Sequence, residues 1–487
     1  MCTPSGESYI VEPLGQENAA AMVTGDSEVT YFETLTDAIA AANDGETVTL
    51  LKDFTTTTGI SGTIIIPADK EIILDLGGKT LTMKGGDEYS DGTIIDYTVY
   101  HKAALLNRGE LTIQNGTITS SFAVSSILNT GVLNIASDAK LENTFGTYYK
   151  RNGYAPPCVY LIVNVGGDVT TAGTLTSVAN NGIVTYGGTV SVSGGSISAP
   201  NAEAVCIDIF NQKDTNTSAG ADVTISGGEL EAGSLVASTN NQKSGGEDGC
   251  NLTVTGGTLT AGTTTIYWPS SGTLTIGTEG SNQSPVLTSE RGSAIEFCSG
   301  TLNIYGGELN GGTTQTSSDS IETEGLMGFM EKYPSGYYTV GDAVTIYARR
   351  GGGYVDNPLS VTIAGGEFSS AQNYGVRYLD YTELEQNVSV SITGGSFSGA
   401  LSAVDAEFVP AAEQKFITGG TFSSEVDSSY LGANCVCEKQ SDGTYRVGVP
   451  VTVTFINDGA TVKTEKIFAG DTVTAPSVSK EGYVLES

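Results

Sequence analysis

The chain of 487 residues carries 55 Asp and Glu but a single histidine, His101, and that imbalance narrows the chemistry open to it. Any nucleophilic mechanism that uses imidazole as its base would have to run through Tyr100-His101-Lys102, a stretch that reads as loop surface. Cleavage of a glycosidic bond asks only for two carboxyl groups, so their abundance keeps that reaction open without placing it. The seven Cys are scattered, only Cys435 and Cys437 lying close together, and no paired Cys-x-x-Cys spacing of a zinc site exists. Most of them read as buried thiols. Gly351-Gly-Gly353 lacks the Lys-Ser and the following helix that a phosphate loop requires. The residues call for no cofactor and no metal.

Tyrosines carry the stronger signal. One long insertion holds Tyr148, Tyr149, Tyr154 and Tyr160, and a second holds Tyr333, Tyr337, Tyr338, Tyr347 and Tyr354. Exposed phenol rings offer an amphipathic platform for a sugar face or a protein hot spot, with a hydroxyl that fixes orientation. Tyr148, Tyr149, Tyr333, Tyr337 and Tyr338 are therefore the expected binding residues. The competing reading is that these rings pin long loops onto the body of the protein. Arg349 and Arg350 would supplement such a patch only in part, because neighbouring strand residues face opposite sides.

What must position them is a repeat. Apolar, polar, apolar, any residue, Gly-Gly, polar, apolar recurs as Val190-Ser-Val-Ser-Gly-Gly-Ser-Ile197, Val223-Thr-Ile-Ser-Gly-Gly-Glu-Leu230 and Leu252-Thr-Val-Thr-Gly-Gly-Thr-Leu259. It returns at 302–309, 361–368 and 390–397, with looser copies starting at Leu111, Leu133, Val169 and Leu274. Successive anchors are 22, 36, 21, 33, 29, 22, 28, 59 and 29 residues apart. The smallest steps suit one turn of a three-sided solenoid, and the longer ones add insertions. Alternation turns Val, Ile and Leu inward and Thr and Ser outward, while Gly-Gly permits the corner. A second inward strand follows in many turns, as in 204–209, 294–297 and 343–347, which puts Cys206 and Cys298 in or beside strands.

Composition agrees. Abundant Thr and Ser with 64 Gly favours short strands and tight corners. A net charge of −33 argues against nucleic acid and anionic membranes as partners. No apolar run approaches the roughly 20 residues needed to span a bilayer. At the start, Thr36-Asp-Ala-Ile-Ala-Ala-Ala-Asn43 followed by Gly45 predicts a short helix covering the open end of the solenoid, with Thr36 as its N-terminal acceptor. The opening residues Met1-Cys2-Thr3-Pro4 have neither the basic start nor the apolar stretch of a secretion signal.

The run Asp37-Ala-Ile-Ala-Ala-Ala-Asn-Asp-Gly-Glu-Thr-Val-Thr-Leu-Leu-Lys-Asp53, with Leu74-Asp-Leu-Gly-Gly-Lys-Thr-Leu81, resembles the opening of pectin-lyase-like β-helices in large surface proteins of gut bacteria. From Val451 the pattern Val-Thr-Val-Thr-Phe-Ile-Asn-Asp-Gly, with Ala469-Gly-Asp-Thr-Val and Glu481-Gly-Tyr-Val484, is similar to the Listeria–Bacteroides repeat, a small β-grasp-like surface module. The resemblance implies an all-β, right-handed parallel β-helix. The expected organisation is a leader or linker over 1–29, the capped helix over 30–425, its C-terminal cap over 426–449 and a partial repeat over 450–487. The native protein is expected to continue into further repeats or a cell-wall anchor.

Many such helices act on polysaccharides, yet the polygalacturonase-type motifs lack counterparts: no adjacent Asp pair and no Gly-His-Gly occurs. Nor does an Arg-x-Pro-x-x-Arg sequence of Ca²⁺-dependent lyases. The expectation is a non-catalytic, extracellular protein of a bacterial surface, an adhesin for a glycan or a host surface protein, with no membrane insertion. The alternatives are a polysaccharide lyase or glycoside hydrolase with its carboxylates in a groove, and a plain spacer.

Overall fold

The computed structural model describes residues 14–25, 28–84, 103–121, 125–146, 160–210, 220–239, 249–269, 271–281, 284–313, 340–348, 358–380, 382, 387–410 and 413–478. They form a parallel β-helix in which the chain visits three sheets in a fixed order and returns one layer higher. Gly188–Val192 lies on the first face, Ser196–Ala199 on the second and Val205–Phe210 on the third, and then Ala221–Ile225 starts the next turn beside Gly188–Val192. Twelve such turns stack among the described residues, from Glu46–Leu50 to Ser402–Glu407. At about 4.8 Å per turn the coiled part is a rod roughly 58 Å long.

The ten repeat anchors form one column. Leu111 pairs in register with Leu133, then Val169, Val190, Val223, Leu252, Leu274, Leu302, Val361 and Val390. All but Val390, at the end, are buried. Each buried aliphatic side chain contributes roughly 1.5–3 kcal/mol, an upper estimate because the unfolded chain already hides part of that surface. The glycines form the corner from the first face to the second. Gly195 holds φ 68°, and a Cβ there would sit 2.0 Å from the Gly173 carbonyl oxygen of the turn below. No other residue fits that corner.

Cys206, Cys250 and Cys298 are buried thiols, and burial pushes the Cys250 thiol up to about 11. A polar column also runs inside the stack. The Asn107 amide donates to Asn129 Oδ1 (2.7 Å), and Asn129 donates to Asn164 Oδ1 (2.8 Å) and to the Gly131 carbonyl (3.0 Å). Asn164 then donates to Gly167 O (2.7 Å) and Thr185 Oγ1 (3.1 Å). These amides add a second hydrogen bond to corner carbonyls that already accept an N–H from the next turn, Gly131 O from Asp168 and Gly167 O from Thr189.

The N-terminal helix is present as Leu35–Ala41, but its acceptor is Thr34, not Thr36: the Thr34 hydroxyl receives the Asp37 N–H at 3.1 Å. Leu35, Ala38 and Ile39 are buried beneath it, so the apolar stripe places the helix start two residues earlier than the Thr36 cap implies. The segment set apart as leader or linker contributes to the cap as well. Ala21–Thr24 pairs antiparallel with both Val29–Phe32 and Glu46–Leu50, covering the first open strand edge. At the other end Tyr445–Gly448 pairs antiparallel with Gly420–Phe422 and Val436–Lys439, and Pro450–Asn457 with Ala460–Phe468 forms a separate hairpin.

Candidate functional site on the third face

The three faces differ in what they turn outward. On the first, one outward column is Thr112, Asn134, Thr170, Ser191, Thr224, Thr253, Thr275, Asn303, Thr362 and Ser391, all uncharged and none buried, and the other includes Glu110, Asp168 and Asp222, none of them buried. On the third, the outward column reads Leu106, Leu128, Val163, Val184, Asp208, Ser238, Tyr267, Glu296, Thr345, Arg377 and Asp405. Most of it is buried, and it changes from apolar to charged along the rod.

Insertions follow the same asymmetry. Within the twelve turns, most connections from the first face to the second are Gly-containing corners of a few residues, as at 193–195, 226–228, 255–257 and 393–395; the longest is 277–285. Every longer one, 84–102, 144–159, 211–220, 240–250, 312–343, 349–358 and 408–419, enters or leaves the third face. The expected binding residues Tyr148, Tyr149, Tyr333, Tyr337 and Tyr338 lie outside the described residues, as do Tyr154, Tyr354, His101, Arg349 and Arg350. Their two insertions are rooted on the same corner, between second and third faces, in the fourth and tenth turns. Six turns put those roots about 29 Å apart. Tyr160 and Tyr347, by contrast, are third-face strand residues only 7% and 3% exposed. The Tyr160 hydroxyl donates to Asp208 Oδ2 at 3.3 Å, which makes this ring a packing element.

The charged end of the third face was not foreseen from sequence. Arg377, 6% exposed, sits 5.1 Å above the Tyr374 ring, with its Nε 3.3 Å from Asp405 Oδ2 and its Nη2 bonded to Glu407. Beside it Asp342 is fully buried, and burial pushes its carboxyl up to about 6 against the opposing pull of Arg377. Thr345 Oγ1 donates to Asp342 Oδ2 (3.0 Å) and lies 2.6 Å from Ser293 Oγ, which donates to Val340 O (2.7 Å). The Thr345 bond, like Arg377, favours the carboxylate and works against burial.

A second group follows the same logic. Tyr378 Oη lies 2.9 Å from Glu413 Oε2 and 3.2 Å from Asp380 Oδ2, while Thr382 gives its hydroxyl (2.7 Å) and N–H (2.9 Å) to Asp380 Oδ1. One phenolic proton faces both carboxyl groups. Burial first, then the neighbouring Asp380, raises the Glu413 carboxyl to about 7. Tyr378 and Thr382 between them engage both Asp380 oxygens. Among the described residues no group of three or more His, Cys, Asp or Glu is arranged to hold a metal ion.

The signal for these residues was present in the sequence. Tyr374-Gly-Val-Arg-Tyr-Leu-Asp380 places Arg and Asp inside a strand otherwise as apolar as its neighbours. No family model, curated protein or solved structure matches the chain.

Proposed function

We propose that this chain is a non-catalytic, extracellular rod of a bacterial cell surface, an adhesin whose third-face insertions bind a glycan or a surface protein. One observation carries the reading. Insertions longer than 277–285 are confined to connections of the third face, and the two Tyr-rich ones share a corner. A plain spacer has no packing need for insertions on one side only, while long loops on a rigid scaffold are where binding surfaces are built. The resemblances to pectin-lyase-like surface helices and to the Listeria–Bacteroides repeat point the same way, towards a chain that continues into further repeats or a wall anchor.

Asp380 and Glu413 give the polysaccharide-cleaving alternative its one specific foothold, two carboxyl groups that face one phenol. Their shared bond to Tyr378 and the commitment of Asp380 to Thr382 favour a structural role. The test pairs a glycan and mucin array with a reducing-sugar assay on the same purified chain. Retention without release of reducing ends is expected. Release that Asp380→Asn abolishes would overturn the reading in favour of an enzyme.

A further inference from the structure

Only one residue, Val449, separates the last strand of the cap, Tyr445–Gly448, from the hairpin of Pro450–Asn457 and Ala460–Phe468. An exposed single-residue link looks like a hinge, but its chemistry is stiff. Pro450 fixes its own φ and confines the residue before it to extended backbone, so Val449 has little room to swivel. The hairpin has two strands and no third paired with it among the described residues. Such a ribbon is marginal in water by itself, so its seat on the rod decides how it behaves.

The seat lies on the outer side of the cap strand. Arg446 and Gly448, two residues apart, share that side, while Val447 between them is buried in the core. At the base of the hairpin the Phe468 ring, 6% exposed, lies against Gly448, with the Arg446 guanidinium carbon 4.8 Å from its centroid. A Cβ at position 448 would sit 2.7 Å from Phe468 Cδ1, so glycine is what leaves room for the ring. Past Phe468 a tight turn through Gly470, at φ 94°, brings Asp471 back. One Asp471 oxygen accepts Arg446 Nη1 at 2.8 Å and the Phe468 N–H at 3.1 Å, and the other accepts Arg446 Nη2. Ala469 N donates to the Val449 carbonyl at 2.8 Å, across the link itself.

We propose that these contacts make a rigid joint, in which the hairpin is locked to the end of the rod and the two turn as one body. Exposed ion pairs are weak as a class, but a guanidinium that bonds both carboxylate oxygens is the exception, because two parallel bonds fix direction as well as distance. Here the same guanidinium also covers the ring that fills the Gly448 seat. The ring in its seat, the Arg446 and Asp471 fork and the Val449 and Ala469 bond are separate restraints on one residue of link. A swivel has to break them together.

The ion pair of Lys463 with Glu465, at 2.7 Å, lies wholly within the hairpin and is no part of the joint. Nor does the joint depend on what the third face binds. It sets the direction in which the hairpin projects from the rod.

Distances between spin labels on the intact chain test the joint. Labels attached to ketone side chains at Thr258 and Ser398, exposed on the second face of the rod, and at Thr464, exposed on the hairpin, leave the seven cysteines untouched. The distribution of distances from 258 to 464 should be as narrow as that from 258 to 398 within the rod. Relative motion is the ordinary behaviour of two units that share a small contact, and a 258 to 464 distribution about twofold broader than the one within the rod would overturn the proposal with no variant needed. Gly448→Val combined with Asp471→Asn, which displaces the ring and breaks the fork, should broaden it at least about twofold, while Lys463→Ala should leave it unchanged. A double variant that stays narrow, or a Lys463→Ala variant that broadens as much, would also overturn it. Amide exchange of Asn251–Val254 reports that the rod stays folded in each variant.

Discussion

The first and third faces are both stacks of parallel strands paired turn on turn, yet they respond to different constraints. On the first face the outward positions are open, and their cross-turn bonds, Thr189 to Asp168 and Asn251 to Asp222, are exposed. On the third the outward column is largely enclosed, and polar groups on it have acquired partners across turns, as Arg377 with Asp405 and Glu407. A regular stack therefore supplies the scaffold, and specificity is concentrated where insertions have freed one face from its repeat.

The largest expected effect tests the inward and outward assignment on the open face. Val254→Asp buries an unpaired charge between turns and should cost about 4 kcal/mol or more, whereas Thr253→Asp beside it should stay within about 0.5 kcal/mol. Thermal unfolding of the two variants checks this, and equal losses would show that the outward column of the first face is not open to water.

Next comes the enclosed face. Arg377→Ala strands Asp405 and Glu407 next to a buried carboxyl and should cost about 3 kcal/mol. Lys140→Ala, which removes an ion pair to Glu142 on the second face, should change stability by no more than about 0.5 kcal/mol. Asn129→Ala falls between, at about 2 kcal/mol, because it takes a buried partner from the Asn107 and Asn164 amides. Denaturant unfolding of the three variants gives the ranking.

A smaller effect separates the two faces through pH. Asp342 is raised from 3.8 to about 6, so it binds more proton folded than unfolded, and its contribution is complete below about 3.8 and lost as pH rises to about 6. Asp342→Asn should flatten the melting temperature over that range. An unchanged slope would show that the carboxyl does not hold its proton there.

The ten-residue column of anchors was legible because period-two alternation and Gly-Gly corners are imposed by local sterics, which each repeat carries within itself. The helix at Leu35–Ala41 was legible for the same reason, although a choice between Thr34 and Thr36 as cap depends on which side packs on the core. Asp342, Tyr378, Asp380 and Glu413 were not legible. Their meaning comes from stacking: Asp342 and Tyr374 are brought together across 32 residues, Tyr378 and Glu413 across 35. Sequence placed the tyrosine insertions on long steps between anchors but could not say which corner they share.

Binding at that shared corner is what the adhesin reading stands on, and replacing 314–339 with a short Gly-Ser linker removes one of its two insertions while keeping Asp342 in place. The next layer makes the same connection with 371–373 alone, so the stack itself does not require the longer segment. Attachment of the intact chain and of this variant would be measured on the same glycan and mucin array, with melting temperatures recorded alongside. Attachment should be lost while the melting temperature holds, and Tyr337→Ala with Tyr338→Ala should reproduce most of the loss. Attachment that survives the replacement undiminished would contradict a binding surface at this corner.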